Sequence, residues 1–319
     1  MIPVVLDCDT GTDDAVAILL AALHPDLDLL GVSTVWGNHD VRHTTDNTLR
    51  VLDLIGRGDV GVHPGRNTPI RPRIEQLPSG RADLPPTLDL PAPASTAGTD
   101  AVEWLVETLR ATTEPVAVVA TGPLTNLAAA LAADRSITGS VGRLVVLGGA
   151  HRAAGVTPYA ERNVWCDPEA AADVLAARFR DLLLVTVDAT FSAPLTAADA
   201  TRLRALGTPA AAAAAAFVEA RIEWYRRDEE MAAVGGAPLH DPLAVAALVD
   251  PALLTTLRAE ARVERADPTT YGATRFAAEV DDSRGRVSVA VRADRERYVD
   301  LLCATLATPP PAGRTFQPA

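Results

Sequence analysis

Apolar positions in this chain come in short unbroken runs, each followed by a stretch with helical spacing. Ile2 to Leu6 reads as a buried strand, and Asp13-Asp14-Ala15-Val16-Ala17-Ile18-Leu19-Leu20 turns helical before stopping near His24-Pro25. Leu27 to Val35 is a second apolar strand, ended by Trp36-Gly37-Asn38, and a helix follows to about Ile55. Further strands are predicted at Val116 to Ala120, Leu144 to Leu147 and Leu182 to Val187, each leading through a loop into an alanine-rich helix. This alternation predicts an α/β fold: a single domain with a mainly parallel, doubly wound, Rossmann-like central sheet and helices on both faces. Ligands of such sheets lie beyond the carboxyl ends of the strands.

Between these units, Arg66 to Ala97 is rich in Pro, Arg and Ser without periodicity, which predicts a long surface loop, either a lid or a connector. Pro209 to Arg227 predicts a long helix with Thr208 as its cap and Pro209 in the first turn. No internal repeat or boundary divides the chain, so residues 1–308 are expected to form one domain and 309–319 a disordered tail.

Composition narrows the partners. A formal net charge of -12, with every basic residue an arginine, provides no positive footprint for nucleic acid or an anionic membrane. No run of 18 apolar residues and no signal-like start is present, so no membrane span is expected. Cys8, Cys166 and Cys303 are isolated and lack disulfide or zinc spacing, which points to a reducing cytoplasm.

The chemistry concentrates where the first strand meets its helix. Asp7-Cys8-Asp9-Thr10-Gly11-Thr12-Asp13-Asp14 places four carboxylates in eight positions. Two like charges about 4 Å apart repel by about 4 kcal/mol at an effective dielectric of 20, so the cluster calls for a counter-charge. A hard, oxygen-seeking cation such as Ca²⁺ is the simplest one. Asp13 and Asp14 would also sit in the first helical turn, where the macrodipole favours anions.

The order Asp-x-Asp-x-Gly-x-Asp-Asp, followed by Ala-Val-Ala-Ile, resembles the opening motif of the inosine-uridine-preferring nucleoside hydrolases. Val35-Trp36-Gly37-Asn38, Ala120-Thr121-Gly122-Pro123-Leu124-Thr125-Asn126, Leu147-Gly148-Gly149, Ala160-Glu161-Arg162-Asn163 with Asp167-Pro168-Glu169-Ala170-Ala171, and Leu239-His240-Asp241-Pro242-Leu243-Ala244 match further motifs in order, over about residues 2 to 250. The resemblance implies the nucleoside hydrolase fold, a nucleoside-like small-molecule substrate, cleavage of its N-glycosidic bond, and a homodimer or homotetramer. It implies that Asp9, Asp14, Asp241 and the Thr121 carbonyl hold Ca²⁺ and that Asp9 is the general base. Asp13, Asn38 and Asn163 would bind the ribose 2′- and 3′-hydroxyls, Glu161 would reach toward the 5′ end, and Asp7 would orient its neighbours. His240 would either assist the departing base or hydrogen-bond a carboxylate, and Trp224 and Tyr225 would close over the substrate or belong to the core.

Three departures stand out. Gly155 replaces an asparagine that contacts the 5′-hydroxyl, Arg162 replaces an aromatic residue, and Arg73 to Gly80 lacks the family's usual first-lid signature. Gly155 and Arg162 together either make room for a 5′-phosphate or other acidic group, or Arg162 pairs with Glu161 or Glu169 and fills space. Two other readings compete with hydrolysis: a haloacid-dehalogenase-like phosphatase, which lacks its lysine here, and a ribose- or nucleoside-binding member of the same family without turnover.

Overall fold

In the computed structural model, residues 1–71, 85–153, 155–227, 233, 235–278 and 287–309 are described. The central strand β1 (Ile2–Cys8) feeds helix α1 (Thr12–Leu23), followed by β2 (Leu27–Thr34), α2 (Val41–Leu54) and β3 (Gly61–Pro64). Next come α3 (Ala101–Ala111), β4 (Val116–Ala120), α4 (Thr125–Ala133), β5 (Val141–Leu147), α5 (Arg162–Cys166), α6 (Pro168–Ala176), β6 (Leu182–Val185) and α7 (Val187–Phe191). A short pairing of β7 (Leu195–Thr196) with β8 (Gly236–Ala237) brackets α8 (Ala197–Arg204) and α9 (Pro209–Tyr225). Helix α10 (His240–Val249), strands β9 (Leu254–Val263), β10 (Thr274–Ala278) and β11 (Val287–Ala293), and α11 (Arg295–Leu306) complete the order.

Among the described residues the main sheet has nine strands in the order β10-β9-β11-β6-β5-β4-β1-β2-β3. All pairs from β11 through β3 are parallel, and only β9 runs antiparallel to its two neighbours. The chain moves outward from β1 to β2 and β3, then returns to the other side of β1 as β4. Loops leaving β1 and β4 therefore diverge, and the gap between them is the crevice that such sheets offer a ligand.

Strand residues alternate between two cores. Val4, Leu6 and Cys8 face the layer containing α1, α9, α10 and α11, whereas Val5, Val118 and Ala120 face the layer containing α3, α4 and α6. Helix α1 is buried on every side, with Val16, Ile18, Leu19 and Leu20 each 0% exposed. At about 1.5–3 kcal/mol for each such side chain, this burial locks the helix in place. The acids of its first turn are thereby held below the surface.

The sequence-based elements hold with small shifts: the fifth strand starts at Val141, the sixth ends at Val185, and α9 ends at Tyr225. Thr208 caps α9 through its hydroxyl, which accepts from Ala211 N–H at 3.1 Å. The antiparallel strands β9 to β11 had no counterpart in the sequence reading. Residues 66–71 and 85–97 carry no helix or strand, in line with the expected loop, and its flank is pinned to α2. Asn47 donates to Pro86 O and accepts from Leu88 N–H, while the Asp53 carboxylate accepts from Ala94 and Ser95 N–H. The unmatched lid stretch Arg73 to Gly80 and residues 310–319 of the expected tail lie outside the described residues.

Candidate active site

A cavity opens at the β1/β4 crevice. Its lining falls into three groups: an acid floor of Asp9, Asp13, Asp241, Thr121 and Asn163; a wall of Gly155, Val156, Glu161 and Arg162; and an aromatic wall of Phe191, Trp224, Tyr225 and His240. Asn38, Leu147, Val187 and Arg221 also reach it.

The floor is built by strand ends and helix starts. Asp9 follows β1, and Asn38 fixes it twice: its backbone N–H donates to Asp9 Oδ2 at 2.6 Å and its amide to Asp9 O at 3.1 Å. The chain must pass very close here, because a Cβ at Gly37 would collide with Asp9 Oδ2. Asp14, on α1, accepts from Gly11 N–H at 3.0 Å, from the Asn38 amide at 3.3 Å and from the Thr121 hydroxyl at 2.8 Å. Asp7, at the end of β1, ties three segments together by accepting from Ser33 at 2.6 Å and Asn126 at 2.8 Å.

Burial governs the electrostatics. It pushes Asp7 and Asp14 up to about 6, against hydrogen bonds that pull them down. Asp9 and Asp241 are raised further by burial and then by the neighbouring aspartates, although Arg162 favours ionised Asp9 and Arg221 favours ionised Asp241. Carboxyls held up in this way are short of positive charge. Oxygens of Asp13, Asp14 and Asp241 converge within 4.8 Å of one another, and the Thr121 carbonyl, which accepts from Asn163 at 2.6 Å, keeps a second lone pair. An all-oxygen, anionic set of this kind fits a hard divalent cation and suits soft metals poorly. Asp9 stands outside the converging trio, and Asp13 within it is paired with Arg221 at 2.9 Å.

The family model for inosine-uridine preferring nucleoside hydrolases matches residues 4–300. The chain belongs to this family. The pyrimidine-specific ribonucleoside hydrolase RihA of Salmonella agona (strain SL483) is 36% identical to it over 96% of this chain and 98% of its own length. Among solved structures, a plant nucleoside hydrolase, the PpNRh1 enzyme, shares 31% identity with a TM-score of 0.82, over 96% of this chain and 99% of that one. The purine-preferring ribonucleoside hydrolase from Gardnerella vaginalis shares 29% identity with a TM-score of 0.87, over 96% and 98% respectively. This nucleoside hydrolase is accordingly an N-glycosyl hydrolase, and both the phosphatase and the non-catalytic readings fall away.

In the nucleoside hydrolase site, Asp9, Asp13, Asn38, Thr121, Glu161, Arg162, Asn163, Trp224, Tyr225, His240 and Asp241 line the cavity, while Asp14 and Asp7 are each bonded to the lining Thr121, which donates from its hydroxyl to Asp14 and from its N–H to Asp7 O. Some details differ from expectation. His240 meets two hydroxyls: Thr190 lies 2.7 Å from Nδ1 and Tyr225 3.0 Å from Nε2. Gly155 leaves no hole, since a Cβ there would collide with Ala160 O and lie 2.6 Å from Glu161 Cα. Arg162 pairs with neither acid that was its expected partner. Glu161 accepts from Gly149, Asn163 and Val164 N–H, and Glu169 pairs with Arg265 at 2.9 Å.

Sequence reasoning missed Arg221, Phe191, Val187 and Thr190. Arg221 is 7% exposed, donates to Pro238 O at 2.8 Å, and its guanidinium lies 5.6 Å from the Tyr225 ring centroid. Its spacing of four from Tyr225 on α9, on a face whose other buried residues are Ala, Phe and Val, was the one available signal.

Proposed function

We propose that the chain hydrolyses the N-glycosidic bond of a ribonucleoside, with Ca²⁺ bound by Asp9, Asp14, Asp241 and the Thr121 carbonyl, releasing free base and ribose. The observation that carries this reading is a buried, oxygen-only acid cluster that shares one cavity with Phe191, Trp224, Tyr225 and His240. The RihA relatives point to a pyrimidine base. When bound, Ca²⁺ would acidify an adjacent water and anchor ribose hydroxyls.

The remaining work falls to side chains. Asp9, its carboxylate fixed by Asn38 N–H, takes a proton from the attacking water, whose hydroxyl bonds to C1′ as the bond from C1′ to the base breaks. Positive charge grows at C1′ in an oxocarbenium-like transition state, and the acid floor stabilises it without reorganising. Asp13, Asn38 and Asn163 position the 2′- and 3′-hydroxyls, and the contact with Arg221 holds the Asp13 side chain in place. Asp7 acts through Ser33 and Asn126, steadying the loops that carry Asn38 and Thr121. On the other side, His240 with Tyr225 delivers a proton to the departing ring nitrogen while Trp224 flanks the base.

No helix among the described residues is long and apolar enough to cross a membrane. We place the enzyme in the cytoplasm, where three buried free thiols remain reduced, as a homodimer or homotetramer whose mass light scattering would measure. The function is tested with a panel of ribosides and deoxyribosides assayed for free sugar and free base, with and without a calcium chelator. Release of both products from ribosides, abolished by the chelator, is expected; no sugar release from any riboside would overturn the reading.

A further inference from the structure

One basic group in the cavity, whose charge favours ionised Asp9, carries a donor that the reaction above does not use. Arg162 lines the wall beside Gly155 and Val156; its Nη2 donates to Gly37 O at 3.0 Å, and its Nε is buried with no hydrogen-bond partner. Glu161 and Glu169 are engaged elsewhere, and among the described residues no carboxylate forms an ion pair with it. A guanidinium offers five N–H donors in a planar fork suited to carboxylate and phosphate oxygens. Leaving a buried N–H of this kind without an acceptor is costly, so an acceptor supplied by a ligand would relieve it.

Ribose geometry indicates what that ligand is. The base leaves the ring at C1′ and the C5′ arm leaves at C4′, on opposite sides of the edge that carries O2′ and O3′. With the hydroxyls on the acid floor and the base against Trp224 and Tyr225, as in the proposed function, the lining left for the C5′ arm is the group of Gly155, Val156, Glu161 and Arg162. That wall has little else to offer a substituent. Position 155 has no space for a side chain, and the Glu161 carboxylate already accepts three backbone N–H groups.

We propose that this enzyme takes a ribonucleoside bearing an anionic group at C5′, a phosphate or a carboxylate, and that Arg162 is the residue that recognises it. The proposal rests on the ribose orientation given under the proposed function. A charge-assisted, two-pronged contact from Arg162 would replace the neutral contact to a 5′-hydroxyl and select against unmodified ribosides.

The test has a binding arm and a kinetic arm. Titration of Ca²⁺-loaded protein with ribose 5-phosphate and with ribose should show the phosphate ester binding roughly tenfold or more tightly. Arg162→Gln should erase that advantage, while Arg162→Lys, which keeps the charge, should retain part of it. The ratio of kcat/KM for uridine 5′-monophosphate to that for uridine, and for uridine 5′-carboxylate to uridine, should exceed one and fall in Arg162→Gln; the larger ratio identifies the natural group. Hydrolysis of uridine with equal binding of ribose and ribose 5-phosphate, or an advantage that survives Arg162→Gln, would overturn the proposal and leave the function standing. Arg162-dependent binding of ribose 5-phosphate without hydrolysis of any riboside would uphold the proposal and overturn the function instead.

Discussion

Arg221→Met removes a buried guanidinium while keeping most of the apolar stem. In the native protein Arg221 and Asp13 pair at 2.9 Å with side chains only 9% exposed. Without Arg221, Asp13 stands beside Asp14 and Asp241, whose oxygens lie within 4.8 Å of its own. Opposite charges about 4 Å apart attract by about 4 kcal/mol at an effective dielectric of 20. Removing one member of a buried pair costs about 3–5 kcal/mol, because the other is left uncompensated. With an unfolding entropy of about 2.1 cal/mol/K per residue, a chain of 319 residues should lose about 4–8 °C of Tm. The assay is thermal unfolding of wild type, Arg221→Met, Asp13→Asn and the double variant, each with Ca²⁺ or with chelator. The loss in Arg221→Met should be largest in chelator and smaller with Ca²⁺, which supplies the missing positive charge. The double variant, with neither charge, should recover much of the loss. Equal Tm for Arg221→Met and wild type in chelator, or a double variant less stable than both singles, would refute the reasoning.

Tyr225→Phe deletes the hydroxyl at His240 Nε2; uridine turnover should fall about 100-fold, within the usual range for general acid catalysis. A nitrophenyl riboside, whose leaving group departs as a stable anion, should be nearly spared, and equal losses on both substrates would remove the pair from leaving-group protonation. Gly37→Ala would push a methyl group onto Asp9 Oδ2, so kcat should drop by about 100-fold or more with secondary structure unchanged by circular dichroism; normal kcat would show that Asp9 can shift without penalty. Thr208→Ala removes the cap of α9 and should cost about 1 kcal/mol, a fall in Tm of about 1–2 °C read by calorimetry.

The floor of the site was legible because its residues are consecutive or sit in strongly marked turns. Asp7 to Asp14 follow an unbroken apolar strand, and Gly37, Gly122 and Gly149 mark the strand ends beside them. The aromatic wall was harder to read. Phe191 and Val187 carry no polar signature, and Arg221 looks like a solvated position on an alanine-rich helix until the fold turns it onto Asp13. Strand β9 escaped notice for a different reason: Leu-Arg-Ala-Glu-Ala-Arg favours a helix locally, and only pairing between β10 and β11 makes it extended. Gly155 shows the limit of reading a substitution by volume alone. Glycine suggested empty space, whereas the backbone of Ala160 and Glu161 has closed on it.

The central claim is that the buried aspartates and a bound cation cleave a ribosyl bond. Ribose release from uridine, measured alongside the calcium content of the same protein samples, tests it most directly in wild type, Asp9→Ala and Asp14→Ala. Wild type should retain Ca²⁺ through gel filtration and release ribose and uracil in equal amounts, with both lost on chelation and restored by added Ca²⁺; each variant should lose metal and turnover together. Full ribose release from metal-free protein, or from Asp9→Ala, would contradict the account.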